Sequence, residues 1–156
     1  MAYVGGERTH DGCVLCAIAE GDDDANRVVE QAELTYTVLN LFPYSSGHLM
    51  VVPRRHVADI TELDDAESAA MFAGAQRAVR ALREGLKPDG LNLGINSGTA
   101  AGAGIADHVH FHVVPRWSGD TNFMPVLADV KVIPEHMEQT AATLRDAYAR
   151  LAAAGG

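Results

Sequence analysis

The chain has 156 residues and a formal net charge of −9, from 12 basic and 21 acidic side chains. Because so acidic a chain does not attract nucleic acid by charge alone, we expect no nucleic-acid partner. Hydrophobic residues make up 47% of the chain and charged residues 21%, as in an ordinary globular domain. The sequence begins without the apolar run of a signal peptide, and no apolar stretch approaches the roughly 20 residues of a membrane span. We therefore expect one domain over residues 1–156, no membrane partner and a cytoplasmic location.

Two cysteines follow a polar, Gly-rich segment, residues 1–12, which we interpret as a loose arm. Cys13 and Cys16 are three residues apart and precede a short helical turn that ends at Gly21. A redox pair belongs beside a βαβ pattern, which the sequence lacks, while a zinc site needs two more ligands. His56 and His108 are available as those ligands. Two reduced, packed cysteines remain the alternative.

The predicted elements alternate between the two-residue period of strands and the three-to-four-residue period of helices. A Pro- and Gly-containing turn joins the second and third strands, and Asp64 with Glu67 resembles a capping box at the start of the long helix. The segment 118–125 is turn-rich, which indicates a flap or an interface. Strands are predicted near 27–31, 34–42, 48–53, 91–97 and 108–115, and helices near 64–85 and 135–153. This order favours an α+β fold with an antiparallel sheet of about five strands, a long central helix and a C-terminal helix.

Residues 108–114 read His-Val-His-Phe-His-Val-Val. In a strand, this alternation places His108, His110 and His112 on one face and the apolar residues between them toward the core. A neutral imidazole has an unprotonated nitrogen at pH 7 and can attack phosphorus. Alternate imidazoles can also converge on one metal ion. The residues alone leave a nucleophile and a metal site as open alternatives.

This pattern resembles the His-φ-His-φ-His-φ-φ signature (φ apolar) of the histidine triad, or HIT, superfamily of nucleotide hydrolases and transferases. The resemblance runs over residues 13–134, and residues 40–53 and 112–117 are most similar to the bacterial branch that resembles diadenosine tetraphosphate phosphorylases. It implies a single HIT-like domain and a homodimer. It also implies a phosphorylase or hydrolase that acts at the α-phosphate of dinucleoside polyphosphates through a covalent nucleotidyl-histidine.

The resemblance also implies roles for individual residues. His110 corresponds to the nucleophile, and His112 to a donor toward the phosphate or the leaving group. His48 corresponds to a histidine close to the triad, which we interpret as support for His110. Asn40 occupies the position that contacts the ribose. The zinc ligands of the zinc-binding members correspond to Cys13, Cys16, His56 and His108, which implies a structural zinc ion and no organic cofactor.

The loop 96–107 consists largely of small residues, so its backbone N–H groups can approach an anion closely. By resemblance this loop wraps the α-phosphate, with Asn96 as a side-chain donor. Many family members have Gln or Ser four residues before the first triad histidine, where this chain has Gly104. The leaving group would then be held by the backbone amides of Gly104 and Ile105, or by the hydroxyls of Ser97 and Thr99.

Three arginines next to the predicted active-site strands are candidates for a phosphate-binding cluster: Arg54, Arg55 and Arg116. Other functions remain open. They are a purine nucleoside phosphoramidase or AMP-ester hydrolase, a hydrolase that binds a metal ion with all three triad histidines, and a catalytically silent nucleotide-binding protein. The absence of a side chain at Gly104 is the argument for the silent protein.

Overall fold

The computed structural model describes residues 12–120 and 136–155. It contains a five-stranded sheet in the order β1-β2-β3-β5-β4, and all four strand pairings are antiparallel. The α+β prediction is therefore confirmed. The strands are β1 Val28–Gln31, β2 Thr35–Leu39, β3 Leu49–Pro53, β4 Gly90–Gly94 and β5 Phe111–Arg116. The helices in this part of the chain are α1 Val14–Glu20, α2 Asp23–Asn26, α3 Asp65–Gly85 and α4 Met137–Ala153, with short 3-10 turns at Ile60–Glu62 and Thr99–Ala101.

The central strands of the sheet are buried on both faces, whereas the edge strand β4 is partly exposed. Helices α3 and α4 cover one face, where Leu49, Val51 and Val113 pack against the small and apolar residues of α3. On the other face, Tyr36 and Met50 belong to a second cluster together with residues of α1 and of the loop before β5. Because every residue of β2 and β3 is buried, this hairpin lies between two packed layers.

Helix α3 starts as the sequence predicts. The Asp64 carboxylate accepts a hydrogen bond from the Glu67 backbone N–H at 2.7 Å, and Glu67 Oε2 accepts one from the Asp64 N–H at 3.0 Å. This reciprocal cap satisfies two amides that the first turn leaves without partners. The helix then buries one stripe, including Met71 and Leu82, against the sheet. Among the described residues, no helix is long and apolar enough to cross a membrane.

The strand that carries the triad begins later than predicted. Strand β5 starts at Phe111, so His108 and His110 precede it. Pairing with β3 stops at Val51–Phe111, and the carbonyl of Pro53 accepts a hydrogen bond from His108 Nε2 at 2.9 Å. The His108 imidazole thus donates to the Pro53 carbonyl near the point where the pairing of β3 with β5 ends. The prediction that the strand begins at residue 108 is therefore wrong, although Phe111 and Val113 pack toward the helices as the alternation predicts.

Other predicted boundaries shift by a few residues. Strand β2 ends at Leu39 rather than 42, and β4 ends at Gly94 rather than 97. Both predicted strands included polar residues that belong to the following loops. The loose arm, most of the segment 118–125 and the residues before α4 lie outside the described residues, so those interpretations stay predictions.

Candidate active site and metal centre

His110 is buried, with 4% of its surface exposed. Its Nδ1 lies 2.8 Å from the backbone oxygen of His108. Because a carbonyl only accepts hydrogen bonds, Nδ1 carries the proton and Nε2 keeps its lone pair. Burial lowers the pKa of His110, an effect that the hydrogen bond to His108 partly offsets. The ring is therefore held in the tautomer that suits a nucleophile.

His112 and His48 form a second imidazole pair beside this ring. The centroids of the His110 and His112 rings are 4.7 Å apart, and His48 Nε2 lies 2.9 Å from His112 Nδ1. Burial, followed by the neighbouring histidines, lowers the pKa of His48 to about 3. Burial and His110 lower the pKa of His112 to about 4. Both rings are therefore neutral near pH 7. The sequence interpretation assigned His48 as support for His110, but the structure shows His48 within hydrogen-bond distance of His112.

A different set of side chains surrounds His108. Its Nδ1 lies 3.3 Å from Cys13 Sγ and 3.6 Å from Cys16 Sγ, and Cys16 Sγ lies 3.4 Å from His56 Nδ1. The four candidate ligand atoms all lie within 4.8 Å of one another. Bond lengths of about 2.0–2.3 Å in a zinc tetrahedron place ligand atoms about 3.3–3.8 Å apart. The three distances of 3.3–3.6 Å fall within this range, and two thiols with two imidazoles are a ligand set of structural zinc ions.

Contacts around this cluster also fit metal binding. The bond from His108 Nε2 to the Pro53 carbonyl places the proton on Nε2 and leaves Nδ1 as the ligand atom. Burial and the neighbouring Cys13 raise the pKa of Cys16 to about 11, so a bound cation must displace its proton. His110 and His112 do not belong to the cluster. Among the described residues, the triad thus divides between a metal site and a reactive pair, which disfavours one ion bound by all three histidines.

A HIT domain family model matches residues 22–119. The chain belongs to the HIT family. It is 45% identical over 133 residues to a protein named AP-4-A phosphorylase from Mycobacterium tuberculosis, covering 85% of this chain and 68% of the relative.

Solved structures agree with this assignment. A Zn-bound histidine triad family protein from Mycobacterium smegmatis superposes with a TM-score of 0.75 at 36% identity, covering 91% of this chain and 96% of that chain. A hypothetical histidine triad nucleotide-binding protein from Sulfolobus tokodaii superposes with a TM-score of 0.73 at 26% identity, covering 89% and 93%. The HIT-like fold expected from the triad signature is therefore confirmed.

In this HIT domain, the Asn40 side chain forms hydrogen bonds within the β2–β3 hairpin. Its Oδ1 accepts a hydrogen bond from the Phe42 backbone N–H at 3.0 Å, and its Nδ2 lies 3.2 Å from His48 Nδ1. Asn40 is only 6% exposed. The amide therefore supports the histidine pair, and its contact with a ribose stays a prediction.

Tyr44 belongs to the site although the sequence interpretation missed it. Its ring centroid lies 4.7 Å from that of His48 and 5.8 Å from that of His112. Its hydroxyl accepts a long hydrogen bond of 3.4 Å from Asn96 Nδ2. Tyr44 thus joins the hairpin to the start of the predicted phosphate loop. An aromatic residue four positions before His48, in a Pro- and Gly-rich turn, was the available signal.

The predicted phosphate loop folds around the 3-10 turn at Thr99–Ala101. Gly98 and Gly102 take the left-handed φ values of 79° and 87° that this turn requires. The amides of Ala101, Gly102 and Ala103 donate hydrogen bonds within the turn. Ser97, Thr99 and Gly104 are exposed, whereas the Ile105 side chain packs into the second core cluster and leaves only its backbone for a ligand.

The three arginines that the sequence offers for a phosphate-binding cluster form hydrogen bonds and ion pairs within the fold. Arg54 donates to the Ala32 carbonyl at 2.9 Å and also to Gln31. Arg55 forms a bidentate pair with Glu67 at 2.6 and 2.7 Å. Each guanidinium thus already has partners within the fold. Arg116 likewise contacts Asp120 and Asn92.

A cleft of about 660 Å³ lies next to this site. Asn40 and Tyr44 line it near the histidine pair, and Asn92 and Arg116 line it along β4 and β5. The cleft is large enough for part of a nucleotide. Neither His110 nor His112 lines it, so the reactive pair lies beside the cleft rather than within it.

Proposed function

We propose that this HIT protein transfers or hydrolyses nucleotides at the α-phosphate of dinucleoside polyphosphates, as a diadenosine tetraphosphate phosphorylase or hydrolase. One observation carries the chemistry: the 2.8 Å bond from His110 Nδ1 to the His108 carbonyl, which leaves Nε2 as an unprotonated nucleophile. The 45% identical relative named AP-4-A phosphorylase supports the choice of substrate.

The proposed reaction has two steps at one phosphorus. His110 Nε2 attacks the α-phosphorus, the bond to the distal phosphates breaks, and a nucleotidyl-histidine forms. An acceptor oxygen then attacks the same phosphorus and restores His110. Phosphoryl transfer needs mainly positioning and charge stabilisation, so a neutral imidazole suffices as the covalent catalyst.

We propose that several groups stabilise the charge on the phosphate. We propose His112 as a hydrogen-bond donor to a phosphate or leaving-group oxygen. Asn96 and the loop amides of Gly104 and Ile105 then face the α-phosphate. Ser97 and Thr99 supply exposed hydroxyls on the same loop.

We further propose that the four-residue cluster around His108 binds a structural zinc ion. The residues Cys13, Cys16, His56 and His108 would hold it through two thiolates and two imidazoles. When bound, the ion crosslinks α1 to the segments after β3 and before β5 and takes no part in catalysis. The partners that we propose are a nucleotide substrate and a second copy of the chain.

Product analysis on diadenosine tetraphosphate, with and without inorganic phosphate, tests the function. ADP and ATP formed only with phosphate would identify a phosphorylase. AMP and ATP formed in both conditions would identify a hydrolase.

The matched variants are His110→Ala and His136→Ala, since His136 is an exposed histidine outside both the triad and the Cys–His cluster. We expect His110→Ala to lose turnover while remaining folded, and His136→Ala to behave as the wild type. Turnover by His110→Ala at the wild-type rate would overturn the nucleophile assignment. No product from the wild-type protein in either condition would overturn the proposed enzyme and favour a nucleotide-binding protein.

A further inference from the structure

The hydrogen bonds around His48 determine where its proton lies. The backbone N–H of Tyr44 donates to His48 Nδ1 at 3.2 Å. A backbone N–H can only donate, so Nδ1 is an acceptor and carries no proton. The ring is neutral near pH 7, because burial holds its pKa near 3. The proton of His48 is therefore on Nε2.

Asn40 reinforces this assignment. Its Oδ1 accepts from the Phe42 backbone N–H at 3.0 Å, so the orientation of the amide group is fixed. Its NH₂ group must then face His48 Nδ1, at 3.2 Å. Two donors thus point at one imidazole nitrogen, and neither can reverse its direction.

The position of the His48 proton in turn determines the tautomer of His112. His48 Nε2–H donates to His112 Nδ1 at 2.9 Å, so Nδ1 of His112 is an acceptor. The proton of His112 is therefore on Nε2. That nitrogen is buried and has no hydrogen-bond partner among the described residues, and His112 is only 7% exposed. A buried, unpartnered donor costs free energy until a ligand accepts from it.

We infer that His48 is a positioning residue that holds His112 as a neutral Nε2–H donor, and that the site therefore favours leaving groups that depart as anions. Protonating His112 to imidazolium would place a proton on Nδ1 directly against the Nε2–H of His48. His48 cannot move its proton from Nε2 to Nδ1 to accept this hydrogen bond, because Tyr44 and Asn40 already donate to Nδ1. The inference rests on the proposed function, since it assigns the substrate class at that site.

The reaction balances without an acid. A bond forms between His110 Nε2 and the α-phosphorus. The bond from phosphorus to the bridging oxygen breaks, and its electron pair stays on that oxygen. His112 gives the oxygen a hydrogen bond and keeps its proton. A polyphosphate is stable as this anion at neutral pH, whereas an amine leaving from a P–N bond needs a proton. The site should therefore cleave phosphoanhydrides faster than phosphoramidates.

The positioning role is tested first without turnover, by nitrogen-15 NMR of the wild-type imidazoles. The His112 signals are assigned by their loss in His112→Gln. We expect a protonated Nε2 and an unprotonated Nδ1 at neutral pH. An imidazolium, or a proton on Nδ1, would overturn the inference whatever the protein hydrolyses.

Two His48 variants then separate donation from packing. His48→Gln keeps an N–H near the position of Nε2, and His48→Leu removes it. We expect His48→Leu to lose about 10–100-fold in kcat with KM little changed, as for removal of a supporting hydrogen bond. His48→Gln should recover most of that loss, and His136→Gln should match the wild type. Equal kcat for wild type and His48→Leu would overturn the inference.

The leaving-group preference is measured on the wild-type protein with diadenosine tetraphosphate and adenosine 5′-phosphoramidate. A general acid typically contributes about 100-fold or more, so without one we expect at least about 100-fold lower kcat/KM for the phosphoramidate. Equal rates would overturn the leaving-group assignment. Failure of the proposed function looks different: no turnover of diadenosine tetraphosphate with or without phosphate, while the NMR result still decides the tautomer.

Discussion

The backbone oxygen of His108 lies 2.8 Å from His110 Nδ1, and the imidazole of the same His108 faces Cys13 and Cys16. One residue therefore belongs to both the candidate metal centre and the reactive pair. Its side chain is held by the cluster and by the Pro53 carbonyl, and its main chain sets the tautomer of the proposed nucleophile. Loosening the cluster should consequently disturb His110 through the main chain of His108.

Removing one of the proposed zinc ligands tests this connection. His56 is exposed, so His56→Ala removes a candidate ligand with little loss of packing. We expect less bound zinc, a lower melting temperature and a loss of turnover of about 10–100-fold, the usual effect of losing the groups that orient a site. Metal analysis, thermal unfolding and the product assay measure these changes. His136→Ala is the matched control, and a zinc-free His56→Ala protein with wild-type turnover would contradict the connection.

The local parts of this fold were predictable from the sequence. Helix α3 was predicted over 64–85 and lies at Asp65–Gly85, because its cap and its apolar stripe are both encoded within a few residues. The start of β5 was not predictable in this way. It depends on the contact between His108 and the Pro53 carbonyl, 55 residues away in the chain.

The partner of His48 shows the same limit within the site. The triad signature placed His48 near the reactive histidines, but the register of β3 on β5 decides which one it meets. In that register Met50 pairs with His112. His48 lies two residues before Met50, which brings its ring within hydrogen-bond distance of His112. The partners of the arginines were also not evident from the sequence: Arg55 pairs with Glu67, 12 residues away, and Arg116 pairs with Asp120, 4 residues away.

Substitution of Tyr44 separates its ring from its hydroxyl. Tyr44→Phe removes only the 3.4 Å hydrogen bond from Asn96, so we expect kcat/KM to change little. Tyr44→Ala also removes the ring beside His48 and His112, and aromatic contacts contribute about 0.5–1.5 kcal/mol. We therefore expect a loss of about 2–10-fold in kcat/KM for Tyr44→Ala, corresponding to that energy. A larger effect for Tyr44→Phe than for Tyr44→Ala would contradict the ring's role.

Gly47 makes the turn that delivers His48. Its φ is +80°, and a Cβ there would overlap Leu86 Cδ1 on the helix side of the sheet. Gly47→Ala should lower the free energy of unfolding by about 1–3 kcal/mol, from left-handed strain and overpacking. Gly90→Ala is the matched control, because nothing lies within 4 Å of a Cβ at that position. Urea denaturation measures both, and equal stability of the two variants would show that the turn tolerates a side chain.

The ion pair between Arg55 and Glu67 should make the stability of the folded protein depend on pH in the acidic range. The hydrogen bonds from Arg55 and from the Asp64 amide lower the pKa of Glu67 from 4.5 to about 2. A carboxylate whose folded pKa is lowered stabilises the protein above its unfolded pKa, and this stabilisation is lost as the pH falls from 4.5 toward 2. Glu67→Gln should therefore reduce the melting temperature most above pH 4.5 and progressively less below it. Glu84→Gln, which removes an exposed partner of Arg150, is the control and should show a smaller change. A melting-temperature difference between wild type and Glu67→Gln that stays constant from pH 7 to about pH 2 would show that this carboxylate is not stabilised in its charged form.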